Sequence, residues 1–382
     1  MTPIPLSLYI HIPWCIHKCP YCDFNSHEIK NITNTLPEAS YIAALLHDLE
    51  QELPYIWGRR LHTIFIGGGT PSLLSGQGMK QLITGLRERL PLRPNMEITL
   101  EANPSTFEQH RFNAYYAAGI NRLSIGIQSF NPRHLRILER IHDENEALQA
   151  SNIANKAGFE NINLDLMFGL PEQSIDEALN DLQQAIDCNP SHLSWYQLTI
   201  ESNTFFHHQR PKKLPNNDQL ANIQEAGITL LKQHGYHQYE VSAFAKVGKE
   251  CLHNRNYWEF GDYIGIGAGA HGKISSNEQI TRYHKHKHPN DYLAACNNGT
   301  ARAKSHTLTT QDCVFEFMLN ALRLKQGFNK TLFEERCYLN ATSYKKMLEK
   351  AKKQGLLIET EHYINTTPRG WDFLNTTIEH FL

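Results

Sequence analysis

Ser7-Leu8-Tyr9-Ile10-His11-Ile12-Pro13-Trp14-Cys15-Ile16-His17-Lys18-Cys19-Pro20-Tyr21-Cys22 runs from a strand-like apolar segment straight into a loop with three cysteines. The spacing is Cys-x3-Cys-x2-Cys. Thiolates are soft ligands that suit iron–sulfur clusters or zinc. A [4Fe–4S] cube normally takes four cysteines, so three leave one iron open to a small chelating ligand. A zinc site with His11, His17 or His27 as fourth ligand is the alternative. Structural zinc sites usually use two separated ligand pairs, which a tight trio is not.

Further strand-like segments follow at intervals: 62–66, 97–100, 122–127, 161–166 and 192–197, each rich in Ile, Leu, Phe or Tyr. Between them, residues 38–54, 75–90, 106–118, 144–157 and 175–188 place apolar side chains three and four apart, the period of a helix. This alternation predicts an α/β fold of parallel strands joined by right-handed crossovers. Six such units are too few to close an eight-stranded barrel. The geometry favours an open, partial (β/α)6 barrel, with a flat doubly wound sheet as the alternative.

In a parallel sheet, ligands gather at the carboxyl ends of the strands. Cys15 follows the first strand and Gly67-Gly68-Gly69-Thr70-Pro71-Ser72 the second. Glu101 in Glu101-Ala102-Asn103-Pro104 ends the third, and Gln128 in Gln128-Ser129-Phe130 the fourth. Asp165 lies in the fifth, before Met167-Phe168-Gly169-Leu170-Pro171. These positions are expected to converge on one rim. Glycines let backbone approach a ligand closely, although a tight turn would also use them. Buried carboxylates need partners, so Glu101 and Asp165 are ligand contacts or structural caps.

Bulk properties limit the alternatives. With 382 residues the chain suits one large domain and a smaller one. A formal net charge of -2 shows no basic field for nucleic acid. No apolar run is long enough to span a bilayer. Met1-Thr2-Pro3-Ile4-Pro5 does not read as a signal peptide, so the expected location is cytoplasmic, peripheral to a membrane at most. Eight cysteines, five of them scattered, suggest buried thiols rather than disulfides.

The trio closely resembles the signature of the radical SAM superfamily. There the methionine part of S-adenosylmethionine (SAM) chelates the open iron, and an electron from the cluster cleaves the sulfonium. The resemblance implies a [4Fe–4S] cluster on Cys15, Cys19 and Cys22 in a partial radical SAM barrel. Tyr9-Ile10-His11-Ile12-Pro13-Trp14-Cys15 and the rim motifs resemble those of oxygen-independent coproporphyrinogen III dehydrogenases and their relatives. By that resemblance Tyr9, Tyr21, Gly68, Gly69, Thr70, Glu101, Gln128, Arg140 and Asp165 match SAM-contacting positions, some belonging to a second SAM. Arg140 lies off the strand ends and reads equally as a surface ion pair.

Two features depart from those dehydrogenases. They carry a fourth cysteine where this chain has Phe24, and a longer leader than the fourteen residues before Cys15. His253-Asn254-Arg255-Asn256-Tyr257-Trp258 instead resembles the HNxxYW motif of the haem chaperone branch, HemW. It implies haem as a further cofactor, with His253 as a candidate axial ligand. The chain has 21 histidines, and His271, after Gly265-Ile266-Gly267-Ala268-Gly269-Ala270, is a second candidate. The alternative for His253 is a histidine satisfied by hydrogen bonds inside the fold.

The expected domains are a radical SAM partial barrel over 1–205, an extension carrying the HNxxYW motif over 206–304, and a mostly helical, winged-helix-like domain over 305–382. In the last, no basic recognition face is apparent. The expected function is haem binding and delivery to an acceptor haem protein, with a membrane-bound respiratory enzyme as the candidate. Oxidative decarboxylation of coproporphyrinogen III and another radical SAM reaction, such as methylation, are the alternatives.

Overall fold

Polar and apolar residues alternate along the strands, and the apolar set goes under helices. The computed structural model describes residues 4–29, 36–56, 58–276 and 278–382. The leader residues Met1–Pro3 lie outside it. The chain begins with β1 (Leu6–Ile12), and the cysteine loop carries a two-residue ladder of β2 (Trp14–Cys15) with β3 (His27–Glu28). Repeats of strand and helix follow: α1 (Glu38–Ile56), β4 (Leu61–Gly68), α2 (Gly76–Arg89), β5 (Glu97–Ala102), α3 (Thr106–Gln109), α4 (Phe112–Ala118), β6 (Arg122–Gln128), α5 (Pro132–Ile137), α6 (Glu144–Lys156), β7 (Asn161–Phe168), α7 (Ile175–Asp187) and β8 (His192–Gln197). Then come α8 (Phe205–His208), α9 (Asn217–Gln233), β9 (His237–Gln238), β10 (Ala243–Ala245), α10 (Leu252–Trp258), β11 (Asp262–Ile266), β12 (His271–Ser276), β13 (Gln279–Lys285), α11 (Pro289–Asn297) and β14 (Arg302–Thr307).

One sheet holds twelve strands in the order β14-β13-β12-β11-β1-β4-β5-β6-β7-β8-β10-β9. It does not close. The six expected strands, β1 and β4 to β8, are parallel neighbours. A seventh, β11, joins them in parallel on the free side of β1. The expected helix over 106–118 is two, α3 and α4, and the break lets Glu108 turn inward.

Leu8, Ile10 and Ile12 of β1, Ile64 and Ile66 of β4 and Leu123, Ile125 and Ile127 of β6 share one core with Tyr41, Leu45 and Leu49 of α1 and Leu82 and Leu86 of α2. Burying each such side chain contributes about 1.5–3 kcal/mol. The opposite face lines a lumen and is polar: Ser7 meets Thr63 at 2.8 Å, and Asn163 donates to Ser124 at 2.7 Å. Helix starts are set by side chains. Ser174 and Glu177 form a capping box on α7, as Asp143 and Glu146 do on α6.

Residues beyond β14 build a second core around Phe317, Phe333, Leu348 and Ile364, into which Phe260 also inserts. Here α12 (Thr310–Ala321), β15 (Phe328–Asn329), α13 (Lys330–Cys337), α14 (Thr342–Lys353), β16 (Leu357–Glu359) and β17 (Tyr363–Thr366) form three helices and a small sheet ordered β15-β17-β16, the plan of a winged helix. The end is α15 (Pro368–Asp372), capped by Thr367, and α16 (Leu374–Glu379). One expectation is corrected here: α14 does present a basic face, with Lys345, Lys346, Lys350 and Lys353 exposed. Among the described residues, no helix is long and apolar enough to cross a membrane.

Candidate functional site

At the carboxyl ends of the parallel strands lies a cavity of 380 Å³. Cys15, Cys19 and Cys22 all face it, on the loop that leaves β1. Cys15 is buried, and burial pushes its thiol up to about 11; the Cys22 thiol is raised for the same reason. A metal reverses that preference, because a coordinated thiol is deprotonated.

The glycine run is laced to the cysteine loop by backbone hydrogen bonds. Gly69 N–H donates to Ile12 O at 2.8 Å, and Thr70 N–H to Trp14 O at 2.7 Å. No side chain fits between the two segments. A Cβ on Gly69 would sit 2.5 Å from Trp14 O and 3.1 Å from Cys15 Sγ, and Gly68 holds φ at +122°.

Opposite the cysteines, Glu101 accepts the Gly68 N–H at 3.0 Å. Burial first, and then the neighbouring Asp165 carboxylate, push its carboxyl up to about 8. Asp165 accepts from Ser124 at 3.0 Å and Asn163 at 2.8 Å, and burial raises it also. Two carboxylates in one cavity, each made reluctant to ionise, favour a ligand that brings positive charge. Gln128, at φ +70° beside a bulge in β6, accepts from the Tyr196 hydroxyl at 2.7 Å. Tyr21 closes one side, packed near Leu138 and Met167.

Arg140 settles its two readings. It is a wall of the cavity, not a surface ion pair. Its guanidinium donates to Cys19 Sγ at 3.5 Å, Asn103 Oδ1 at 2.7 Å and Gly126 O at 2.8 Å. Ile16, Phe24 and Ile141, all exposed, form an apolar mouth.

The structure therefore brings together the three cysteines, Tyr21, Gly68, Gly69, Thr70, Glu101, Gln128, Arg140 and Asp165. Two expected residues lie elsewhere. Tyr9 is not among the cavity's lining: its hydroxyl meets His11 Nδ1 at 2.9 Å and its ring stacks near Phe65. His253 sits in α10 at the opposite end of the lumen. Its N–H donates to Glu97, the first residue of β5, at 3.0 Å. Its ring nitrogens meet Thr63 Oγ1 at 2.8 Å and Tyr257 OH at 2.9 Å. Burial, with Arg122 nearby, holds it neutral down to about pH 3. It is 1 % exposed. In this arrangement both ring nitrogens are engaged by the protein, as the alternative for His253 expects. His271, the second candidate, is exposed at the start of β12, its ring 5.5 Å from that of His284. Asn103 and Tyr196 also line the cavity and were not among the expected contacts. Only the placement of Asn103 in the rim motif hinted at it.

Two of the three histidines of the zinc alternative are engaged elsewhere, while His27 keeps a ring nitrogen without a partner. His11 gives both ring nitrogens to protein partners, Tyr9 and Asn25 O, and His17 lies between Glu28 and Glu139 at 3.2 Å each. Among the described residues no three His, Cys, Asp or Glu side chains converge as ligands of one ion. A cube asks for something different, a thiolate at each of three corners. The three thiols on one loop, the glycine backbone held against Cys15 and the paired carboxylates fit such a cluster with a SAM-like ligand beside it.

Comparison with known proteins agrees with this geometry. The Radical SAM superfamily model matches residues 9–185, and the HemN C-terminal domain model matches residues 308–373. The chain is 50% identical to heme chaperone HemW of Escherichia coli, covering 99% of this chain and 98% of that one. It is 48% identical to heme chaperone HemW of Haemophilus influenzae, with the same coverage. HemW of Bacillus subtilis is 35% identical over 95% of this chain and 96% of its own. Among solved structures, coproporphyrinogen III oxidase (HemN) from Escherichia coli, a radical SAM enzyme, superimposes with a TM-score of 0.84 at 26% identity, over 99% of this chain and 90% of that one.

Proposed function

The chain belongs to the HemW family of heme chaperones, within the radical SAM superfamily, and we propose on that premise that it binds haem and delivers it to an acceptor haem protein. The observation that carries the reading is similarity over essentially the whole chain, 50% in identity, to a protein named for that role. Family membership implies the [4Fe–4S] cluster and SAM, and the cavity has the donors for both. When bound, the cluster supplies an iron with an open coordination position and a store for one electron.

The chain's own residues do the rest. Cys15, Cys19 and Cys22 hold three corners. The backbone of Gly68–Thr70 lies against Cys15, where it would meet the amino-acid end of SAM. Glu101 and Asp165 would face its positive charge, Tyr21 would lie on the adenine side, and Arg140 and Gln128 complete the wall. Phe24, 57% exposed, stands at the mouth with Ile16 and Ile141, an apolar surface for a flat ligand. Haem ligation falls to His271, because of the two candidate rings only His271 is exposed. The acceptor is a haem protein, and a respiratory enzyme is the candidate.

The likeness to coproporphyrinogen III oxidase favours a second reading, oxidative decarboxylation of a tetrapyrrole propionate. Phe24 stands against it, since a phenyl ring cannot replace the thiol that those dehydrogenases carry there. One anaerobic comparison separates the two. The protein with reconstituted cluster is titrated with haem, followed by its absorption, then mixed with an apo-haem protein. Parallel samples receive coproporphyrinogen III, SAM and a reductant. Haem uptake and transfer without vinyl product are expected. Vinyl product, or no haem uptake, refutes the chaperone reading.

A further inference from the structure

Hydrogen bonds onto the cysteine sulfurs of an iron–sulfur cluster shift its reduction potential. Each of the three sulfurs here has a side-chain donor at hand. Thr70 Oγ1 donates to Cys15 Sγ at 3.4 Å, Arg140 Nη1 to Cys19 Sγ at 3.5 Å, and Ser26 Oγ lies 3.9 Å from Cys22 Sγ.

Two of these donors are oriented by one residue. Asn103 Nδ2 donates to Thr70 Oγ1 at 3.4 Å, and Asn103 Oδ1 accepts from Arg140 Nη2 at 2.7 Å. An amide oxygen only accepts and an amide nitrogen only donates, so one orientation of Asn103 serves both. Glu108 selects it. Its carboxylate accepts Asn103 Nδ2 at 3.2 Å and the Asn103 backbone N–H at 2.7 Å, and it also accepts the Ser72 hydroxyl. Thr70, having accepted from Asn103, keeps its own proton for Cys15. Successive bonds of this kind polarise one another.

We propose that Asn103 is a positioning residue for the cluster: by aiming Thr70 at Cys15 and Arg140 at Cys19, it raises the cluster's reduction potential. The inference rests on the cluster assignment above. Its direction follows from charge. Reduction adds negative charge that spreads to the sulfurs, so a donor stabilises the reduced state more than the oxidised one. The cationic donor, Arg140, has the larger effect.

The test uses the full chain, reconstituted anaerobically without SAM, as wild type, Asn103→Leu, Thr70→Val and Arg140→Met. Iron and sulfide are counted, and the potential is read by mediator titration of the reduced cluster's EPR signal. Both donor variants are expected to shift the potential to more negative values, and Asn103→Leu by about their sum. Asn103→Leu added to the double donor variant is expected to change little more. A loaded Asn103→Leu cluster at the wild-type potential overturns the proposal. If Asn103→Leu takes up no cluster, the two donor variants decide, and wild-type potentials in both overturn it. A wild type that takes up no iron overturns the cluster assignment and this proposal with it.

Discussion

SAM binding is expected to weaken about fiftyfold between pH 8 and pH 6 through Glu101, and Glu101→Gln to remove that contribution. In the free protein, burial and the nearby Asp165 hold the Glu101 carboxyl at about 8, so it is mostly protonated at neutral pH. The sulfonium charge that SAM would bring into the cavity favours the carboxylate, so binding expels a proton. The apparent dissociation constant then scales as one plus the ratio of protonated to ionised Glu101. That ratio is about 1 at pH 8 and about 100 at pH 6, which gives the fiftyfold change, about 2.3 kcal/mol. The sign is fixed: affinity falls as pH falls, and it levels off above pH 8. Calorimetry on the reconstituted protein, in buffers of different ionisation enthalpy, measures the affinity and counts the proton released, about one near pH 6.5. Glu101→Gln is expected to bind more weakly at pH 8, by about tenfold or more, because the attraction between opposite charges in a buried site is lost. Its affinity should then vary less steeply with pH. A flat wild-type profile, or the same slope kept in Glu101→Gln, refutes the assignment and moves the positive charge to another group.

Other perturbations have equally definite outcomes. Gly69→Ala puts a Cβ 2.5 Å from Trp14 O, a backbone atom that cannot swing away, so the cysteine loop must shift; iron per chain after reconstitution should fall to less than about half of wild type while circular dichroism is kept. Lys285 is fully buried between Asp48 at 2.5 Å and Glu52 at 2.6 Å, so Lys285→Met leaves buried negative charge unpaired and should cost about 3–5 kcal/mol in denaturant unfolding, with partial recovery in Lys285→Met/Asp48→Asn. His253→Ala should leave the haem absorption spectrum unchanged while lowering the melting temperature, whereas His271→Ala should alter the spectrum; the reverse pattern would return the ligand to α10. Burial keeps His253 neutral in the folded chain, while in the unfolded chain it protonates below about pH 6.5. Wild-type stability should therefore fall by up to about 1.4 kcal/mol per pH unit below that point from this group alone, and His253→Gln should show a shallower decline.

Much of the site could be read along the chain because each parallel strand delivers its last residues to the same rim. With Ser7–Ile12 as a strand, Cys15, Gly68, Glu101 and Gln128 must meet, whatever the packing details. Periodicity placed most of the helices for a similar reason, since local caps such as Ser174 with Glu177 act within one turn. Arg140, Asn103 and His253 were of another kind. Nothing near Arg140 in sequence announces that its guanidinium reaches Cys19, because that contact spans 121 positions.

Local spacing alone determined the three thiols, the strand–helix rhythm and the polar rim, because those depend on periods of two and 3.6 residues and on where strands end. Tertiary packing decided the rest. It inserted β11 beside β1 and set α10 into the floor of the lumen, where Glu97 takes its amide groups and leaves His253 enclosed. It also joined Asn103, Thr70 and Arg140 into one network around the cysteines. Such contacts form between segments far apart in sequence, where buried polar groups must find partners in whatever the fold brings near.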